Sequence, residues 1–345
     1  MTKELSVLCC CNAMWGAYEI IHEVPSLTEA RNVVALPYLP GGAWGIFNSA
    51  GRCLMDAIDR HGPDGRSADR QLVAPVSLLR SANHSQHETY VYGGFVNLHF
   101  GHFIANTLPR LWPIILNMHV QHTFLFHGQG TPVDWFNFIF IRDLLGALGI
   151  NSGNVEFVDR PTRISRLIIP HPSFQEQHFV HSVFGKLCRK IGDKLAITDD
   201  SIQKINTTPV YLTKTGLTSG VGHFVNEGEV VDRLQSSGIE IFYPEKMTPA
   251  DQIDLFRSRR IIFGPLGSAF HNSIFCKANS KVICLAPNSH PNSNFMMFDS
   301  LSGVDAQYYY DPGTIAVDSK GKDFLTSLRL SDPERIASDL LRLVQ

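Results

Sequence analysis

Residues 261–272 read IIFGPLGSAFHN. A β-branched apolar run stops at Gly264 and Pro265, and the chain restarts on the small residues Gly267, Ser268 and Ala269. The pattern predicts a buried strand, a tight loop and then a helix opening at Ser268. Such a turn directs backbone N–H groups and the positive end of a helix dipole at one place, which suits an anion such as a phosphate. Many α/β proteins make the same turn with no ligand, so its surroundings decide its meaning.

Those surroundings are regular. Strands are predicted at 210–213, 239–243, 260–263 and 281–285, with helices at 227–236, from Thr248 to 256, and over 268–276. Strand and helix alternate through short connections, which predicts an α/β fold with a parallel sheet and right-handed crossovers. Sheets of this kind bind ligands at the carboxyl ends of their strands, where residues 264–268 fall. A final helix opens at Ser331-Asp332-Pro333-Glu334, with Pro333 in its first turn. Upstream the pattern is mixed. Residues 44–47 and 52–57 flank Asn48-Ser49-Ala50-Gly51 as a hairpin, and 61–67 reads as a polar loop. Further strands are predicted at 89–92, running into Gly93-Gly94, and at 123–127, 155–158 and 166–169. Helices are predicted at 103–118, interrupted or bent near Pro109 and Pro113, at 135–148, and at 184–195. The polar stretch 198–208, TDDSIQKINTT, reads as a linker.

At roughly 150 residues per domain, a chain of 345 predicts two domains. With 44% hydrophobic and 18% charged residues, it has material for two packed cores. A net charge of −2 gives no basic field, and no basic aromatic stripe appears, so nucleic acid is not expected as a partner. No apolar run approaches the roughly 20 residues that span a bilayer. The opening residues carry an acidic Glu4 and no clear cleavage site, so no signal peptide is expected. Seven cysteines without a C-x-x-C pair form neither a disulfide framework nor a zinc pattern, and the adjacent Cys9, Cys10 and Cys11 suit a reducing compartment. These features predict a cytoplasmic protein.

Chemistry gathers in residues 97–112, NLHFGHFIANTLPRLW. Seven of the fifteen histidines lie between positions 84 and 127. His99 and His102 are close together, yet no Asp, Glu or Cys set completes a ligand spacing, so no metal is expected. If Gly101 ends a loop, His102 sits at a helix N-terminus, where the dipole keeps the imidazole neutral, the form a general base needs. The other reading is a histidine bonded to backbone.

Residues 97–112 together with 209–287 resemble glycosyltransferase family 61, a group often described as capsular polysaccharide biosynthesis proteins. The resemblance rests on His-Phe followed by Leu-Pro-Arg-Leu-Trp, Tyr211-Leu-Thr-Lys214, Asn226-Glu227, the helix containing Gln252, and Gly264-Pro-x-Gly-Ser with Asn272 and Phe275 behind it. The 44–57 hairpin and the C-terminal helix fit as well. The resemblance implies a GT-B-like architecture, two Rossmann-like domains facing a cleft, with inversion at the anomeric carbon. On that reading residues 1–198 form the acceptor-side domain, 209–310 the nucleotide-sugar domain, and 311–345 a closing hairpin and helix.

The implied donor contacts are Lys214 and the backbone around Gly264, Gly267, Ser268 and Ala269, with Asn272 nearby. Glu245 would accept hydrogen bonds from ribose or base, or stand as a solvated loop carboxylate. His102 is the expected base, and the absence of any Asp-x-Asp removes the usual metal signal of the other glycosyltransferase architecture. His99, Asn106, Arg110, Asn226 and Glu227 are expected to meet the acceptor or to serve structure, Arg110 through an ion pair and Asn226 and Glu227 by capping the next helix. The chain departs from the family at several places. Leu266 stands where a histidine is usual, and Lys214 where an arginine is usual. Ser219, Gly220, Val221, Gly222 and His223 replace further arginines, and the amide Asn106 replaces an acid. The expected function is transfer of a sugar from a nucleotide-sugar, without cofactor, to a glycan or lipid-linked glycan acceptor, at the cytosolic face of a membrane in surface polysaccharide assembly. The rivals are a catalytically degenerate scaffold on the same fold and a GT-B-like polysaccharide pyruvyl transferase.

Overall fold

The computed structural model describes residues 6–62, 64–67, 74, 76–117, 122–196, 205–217, 222–276, 280–317 and 327–345. Residues 198–204 of the expected linker and positions 219–221 therefore lie outside the described residues. The chain divides into two compact units, Gly16–Lys194 and the combined segments Met1–Trp15 and Leu195–Gln345. Among the described residues no helix is long and apolar enough to cross a membrane.

In the second unit five strands run parallel in the spatial order Glu240–Phe242, Val210–Leu212, Ile261–Pro265, Lys281–Ala286, Asp305–Tyr310. Cys9–Cys10 adds an antiparallel edge beside Asp305–Tyr310, which is why the first residues cluster with the second half of the chain. Counted along the sequence, the parallel strands lie 2-1-3-4-5. The order reverses between Val210–Leu212 and Ile261–Pro265, and a crevice opens at the carboxyl ends of a sheet where its order reverses. Neighbouring residues on each strand face opposite sides, and helices cover both. Tyr211, Phe263, Ile283 and Leu285 pack with Val230 and Leu234 of the Glu227–Ser236 helix and with Ile336 and Leu340 of the Pro333–Leu343 helix. Val210, Leu212, Ile262, Val282 and Cys284 pack with Leu255 and Phe256 of the Pro249–Ser258 helix, and with Phe270 and Phe295. The Pro249–Ser258 helix starts on a reciprocal cap between Thr248 and Asp251, and Asp332 caps Pro333–Leu343.

The Gly16–Lys194 unit has its own mixed sheet. Val155–Phe157, Thr123–Gly128, Thr89–Val96 and Thr162–Pro170 run parallel in that order, and Leu27–Leu36 and Gly45–Phe47 continue it antiparallel. From Thr89–Val96 the chain moves to one side through two strands. It then returns to the other side at Thr162–Pro170, so this sheet also has a reversal point.

Several expected elements differ. The helix expected over 103–118 is interrupted at Pro109 and Pro113 as expected, but its pieces are not α-helical: a π-helical turn at Phe103–Thr107 is followed by 3-10 turns at Leu108–Arg110 and Trp112–Leu116. Pro109 and Pro113 each lie in the first turn of a 3-10 piece, where a missing N–H is tolerated. The helix expected over 135–148 breaks at Phe138, which is extended, into Pro132–Asn137 and Ile139–Ala147. The strand expected to stop at Tyr92 continues to Val96 through a bulge, with Gly94 at φ 84°. The turn expected between 44–47 and 52–57 forms, with Cys53 bridged antiparallel to Phe47 and Leu54 N donating to the Ile46 carbonyl, but it runs into a 3-10 turn at Met55–Ala57 instead of a strand, and the loop at 61–67 contributes to a short hairpin.

Two constraints inside these sheets have measurable consequences. Gly264 has φ 156°, and a Cβ there would lie 2.2 Å from the Leu212 carbonyl oxygen, a backbone atom that cannot swing aside. Gly264→Ala must part the two central strands and is expected to cost about 2–3 kcal/mol in chemical denaturation. His127 is fully buried; its Nε2 donates to the Leu36 carbonyl at 2.9 Å, so its Nδ1 accepts from the Tyr92 hydroxyl at 3.0 Å. Burial pushes this imidazole down to about 4. An unfolded histidine binds its proton near 6.5, so stability is full above that pH and is lost as pH falls toward 4. Urea unfolding at pH 7.5 and 4.5 should show His127→Gln losing about 2–3 kcal/mol less than the parent over that interval.

Candidate active site

The loop after Val210–Leu212 and the loop after Ile261–Pro265 meet at the reversal point of the second unit. Lys214 joins them: its Nζ donates to the Leu266 carbonyl at 2.6 Å and to the Gly222 carbonyl at 3.2 Å, two of its three donors. The side chain lies against Gly267, where a Cβ would come within 2.4 Å of Lys214 Cε, so a larger residue there would push the end of the lysine aside. Burial pushes the ammonium down to about 8, against the pull of Glu227. Glu227 is 1% exposed, and its Oε1 accepts from Tyr211 OH at 3.3 Å, Thr213 Oγ1 at 2.8 Å and Lys214 N at 3.0 Å. Its carboxyl is pushed up, first by burial, although these bonds and Lys214 oppose the shift.

The other expected donor residues take distinct places. Ser268 and Ala269 open a 3-10 helix, Ser268–Phe275, instead of the expected α-helix, with Gly267 at its N-cap position and no side-chain cap. Asn272 is buried and bonds inward: its Nδ2 donates to Gln252 Oε1 at 2.8 Å and to the Ala269 carbonyl at 2.9 Å. Gln252 in turn donates to the Pro244 carbonyl at 2.8 Å, so the pair braces the Ser268–Phe275 turn against the neighbouring helix. Glu245 is exposed, and its Oε1 fills the place a Cβ of Gly216 would take, beside the Lys214 loop. Asn226 occupies the N-cap position of its helix without capping it; its amide instead pairs with both backbone groups of Leu330 at 3.0 Å. Capping by Asn226 is thus corrected: a buried amide is better satisfied by two backbone partners than by one.

In the Gly16–Lys194 unit the reversal point lies between Thr89–Val96 and Thr162–Pro170, and both strands run into segments rich in ionisable side chains. After Val96, Thr107 Oγ1 bonds Asn97 N and the Phe95 carbonyl at 3.0 and 2.9 Å, which folds the histidine segment back over the strand end. His102 ends the short helical turn Phe100–His102 and leads into the π-turn, a distortion found frequently at functional sites. After Pro170 the chain forms a hairpin, Phe174–Gln175 against Phe179–His181, with Glu176 at its tip. Glu176 Oε1 lies 3.4 Å from His102 Nδ1 and 3.4 Å from Asn106 Nδ2. The His99 ring lies 5.3 Å from that of His102, tilted 56° to it, and is pushed down, first by burial and then by His102. A cavity of about 370 Å³ opens at the ends of the neighbouring strands, with Tyr38, Gln129 and Asp159 in its wall.

Arg110 is 2% exposed and does not reach a surface. Its guanidinium donates to the carbonyls of Asp56 at 2.9 Å, Pro170 at 2.7 Å and Ile58 at 2.9 Å, lies 3.7 Å from Asp59, and covers the Tyr92 ring. The expected ion pair is therefore the lesser part of its bonding, because a planar fork can serve several carbonyls at once. Arg110→Lys has no such fork, and urea unfolding should show it about 2–4 kcal/mol less stable than the parent.

The sequence marks His102, Asn106 and Lys214 as candidates and leaves Glu176 unmarked. Its only signal is a polar turn between two short apolar runs, seventy residues beyond Asn106. No spacing rule joins those positions; the adjacency of two parallel strands does.

No curated protein matches the chain. The family described as Glycosyltransferase 61 matches residues 100–283, which carry His102, Arg110, Lys214, the Leu266 turn and Asn272. The match covers more than half of the chain, and this protein belongs to glycosyltransferase family 61.

Proposed function

We propose that this protein is an inverting, metal-independent glycosyltransferase that moves a sugar from a nucleotide-sugar to a glycan or lipid-linked glycan acceptor in surface polysaccharide assembly. The reading adopts the GT-B-like organisation of two Rossmann-like domains, with the donor on the Leu195–Gln345 segment and the acceptor on the Gly16–Lys194 unit. It also adopts a cytoplasmic protein working peripherally at the membrane's inner face. The observation that carries it is Lys214, a cation held at the reversal point of a parallel sheet beside the Gly264–Ser268 turn.

The reaction needs two things of the protein. The acceptor oxygen attacks the anomeric carbon from the face opposite the diphosphate, and its proton passes to Nε2 of His102. The bond from that carbon to the diphosphate oxygen breaks, its electron pair leaves with the diphosphate, and the configuration inverts. Lys214 and the N–H groups of Gly267, Ser268 and Ala269 meet the growing negative charge. Glu227 holds Lys214 N and Thr213 in place, and Glu245 takes ribose or base hydroxyls.

A specific observation favours the catalytically degenerate scaffold as the second reading. The Lys214 ammonium is already bonded to two carbonyls, and apolar Leu266 stands at the centre of the turn. A thermal-shift screen with nucleoside diphosphates and their sugars, followed by transfer assays, separates the two. A bound donor stabilises by about 2.7 kcal/mol at a hundredfold excess over Kd, so a real site is visible as a shift. Diphosphate binding is expected to weaken as pH rises through about 8, because the Lys214 ammonium loses its proton there. An ordinary lysine loses it only near 10.4. Lys214→Met should remove both the binding and this pH dependence. His102→Ala should keep the donor shift and lose transfer by about a hundredfold or more. Donor binding without any turnover would support the scaffold, and acceptance of a phosphoenol donor in place of nucleotide-sugars would move the assignment to pyruvyl transfer.

A further inference from the structure

The groups at the tip of the Glu176 hairpin form a triangle. His102 Nδ1, Asn106 Nδ2 and Glu176 Oε1 lie at mutual distances of 3.4 Å. Asn106 Nδ2 can only donate and an ionised carboxylate can only accept, so the proton on His102 Nδ1 decides whether the triangle is favourable. With that proton present, two N–H groups converge on one negative oxygen, and the sole mismatch is between the two donors. Without it, the Nδ1 lone pair faces the carboxylate, and the compensation is one neutral bond from Asn106. Hydrogen bonds to an ionised partner are roughly twice as strong as neutral ones, so the first arrangement prevails.

We propose that Glu176 is a positioning residue that holds neutral His102 in the Nδ1–H tautomer, leaving the Nε2 lone pair free to take the acceptor hydroxyl's proton. The inference rests on reading His102 as the base and extends that reading to a residue outside it. Exposure agrees with the division of labour: the His102 side chain is 54% exposed and that of Glu176 only 12%, so the ring meets solvent while the carboxylate stays behind it. The hairpin is held firmly enough to impose this. Ser173 donates through both N and Oγ to the Pro109 carbonyl at 2.9 and 2.8 Å, which ties the hairpin to the segment carrying His102 and Asn106. Gln177, at φ 51°, accepts from Ala17 N at 2.8 Å, and Gln175 Nε2 pairs with His178 Nδ1 at 3.1 Å across the turn. When the proton moves from the hydroxyl to Nε2, the ring becomes an imidazolium, and the Glu176 carboxylate faces the new charge from the Nδ1 side. His99 is the other titratable ring against His102, and its own lowered affinity for protons keeps it from competing as a cation.

The test reads the tautomer and the rate separately. Ring nitrogens of ¹⁵N-histidine-labelled protein are observed at pH 8, with His102 assigned by its loss in His102→Gln. The parent should show Nδ1 protonated. In Glu176→Leu, Asn106 is left to donate to Nδ1, so the proton should move to Nε2 and kcat for transfer should fall at least tenfold with KM unchanged. Adding Asn106→Asp to Glu176→Leu returns a carboxylate to the triangle and should restore both the tautomer and kcat. Asn106→Leu alone, which keeps the Ser173–Pro109 ties of the hairpin, should leave the Nδ1–H signal as in the parent. Nε2–H in the parent, an unchanged tautomer in folded Glu176→Leu, or a switched tautomer in Asn106→Leu would each overturn the proposal. If the tautomers behave as expected while His102→Ala keeps full transfer, the role of Glu176 in orienting the ring stands and the reading of His102 as base falls.

Discussion

Each unit sets a cation where its parallel strands end and satisfies it largely with backbone carbonyls. In one unit the Lys214 ammonium draws on Leu266 and Gly222; in the other the Arg110 guanidinium draws on Asp56, Ile58 and Pro170. Removing a charge from water is costly, and it persists only where the geometry supplies enough acceptors. The carboxyl end of a strand supplies one of them in each unit, Leu266 just past Ile261–Pro265 and Pro170 at the end of Thr162–Pro170, and neighbouring loops supply Gly222, Asp56 and Ile58. By bonding both kinds of carbonyl, each cation ties the loop that leaves the sheet to the loop beside it.

Those loops carry the candidate site residues. Gly264 admits the Leu212 carbonyl, Gly267 admits the Lys214 stem, and Glu227 gathers Tyr211, Thr213 and the Lys214 backbone onto one oxygen. The depressed proton affinity of Lys214 follows from its burial. The same burial makes it a strong partner for any anion that displaces a carbonyl, since an ion pair gains more as the surroundings become less polar. Arg110 does the corresponding work beside Thr162–Pro170: it holds the strand end from which the Glu176 hairpin departs, and Ser173 ties that hairpin to Pro109 in the residue just before it.

Much of this was legible in the chain. The alternation from residue 210 onward, the Thr248 cap, the Pro333 helix start and the Gly264 turn are local patterns, set by strand period, cap chemistry and the steric freedom of glycine. The family resemblance also pointed to the right segments. What failed was local in appearance but tertiary in cause. The interruptions of the 103–118 helix at Pro109 and Pro113 were legible, but the π-turn at Phe103–Thr107 was not; there the Thr107 hydroxyl meets the Phe95 carbonyl of a strand that the local sequence does not reveal. Asn226 looked like a cap and instead pairs with Leu330, 104 residues away.

The sequence by itself determined the α/β class, the order of elements in the second half, and the identity of the groups able to bind an anion or carry a proton. These follow from residue type and short-range period, which act over a few positions. The tertiary structure decided which groups meet. Two reversals of strand order set Lys214 beside the Leu266 turn and Glu176 beside His102, and each pairing depends on which strands lie side by side. Strand adjacency is fixed by the burial of both sheet faces at once, a property of the whole layer that no single segment contains. The amide at position 106 illustrates the result: in sequence it reads as a missing acid, and in space a carboxylate from a distant hairpin lies 3.4 Å away.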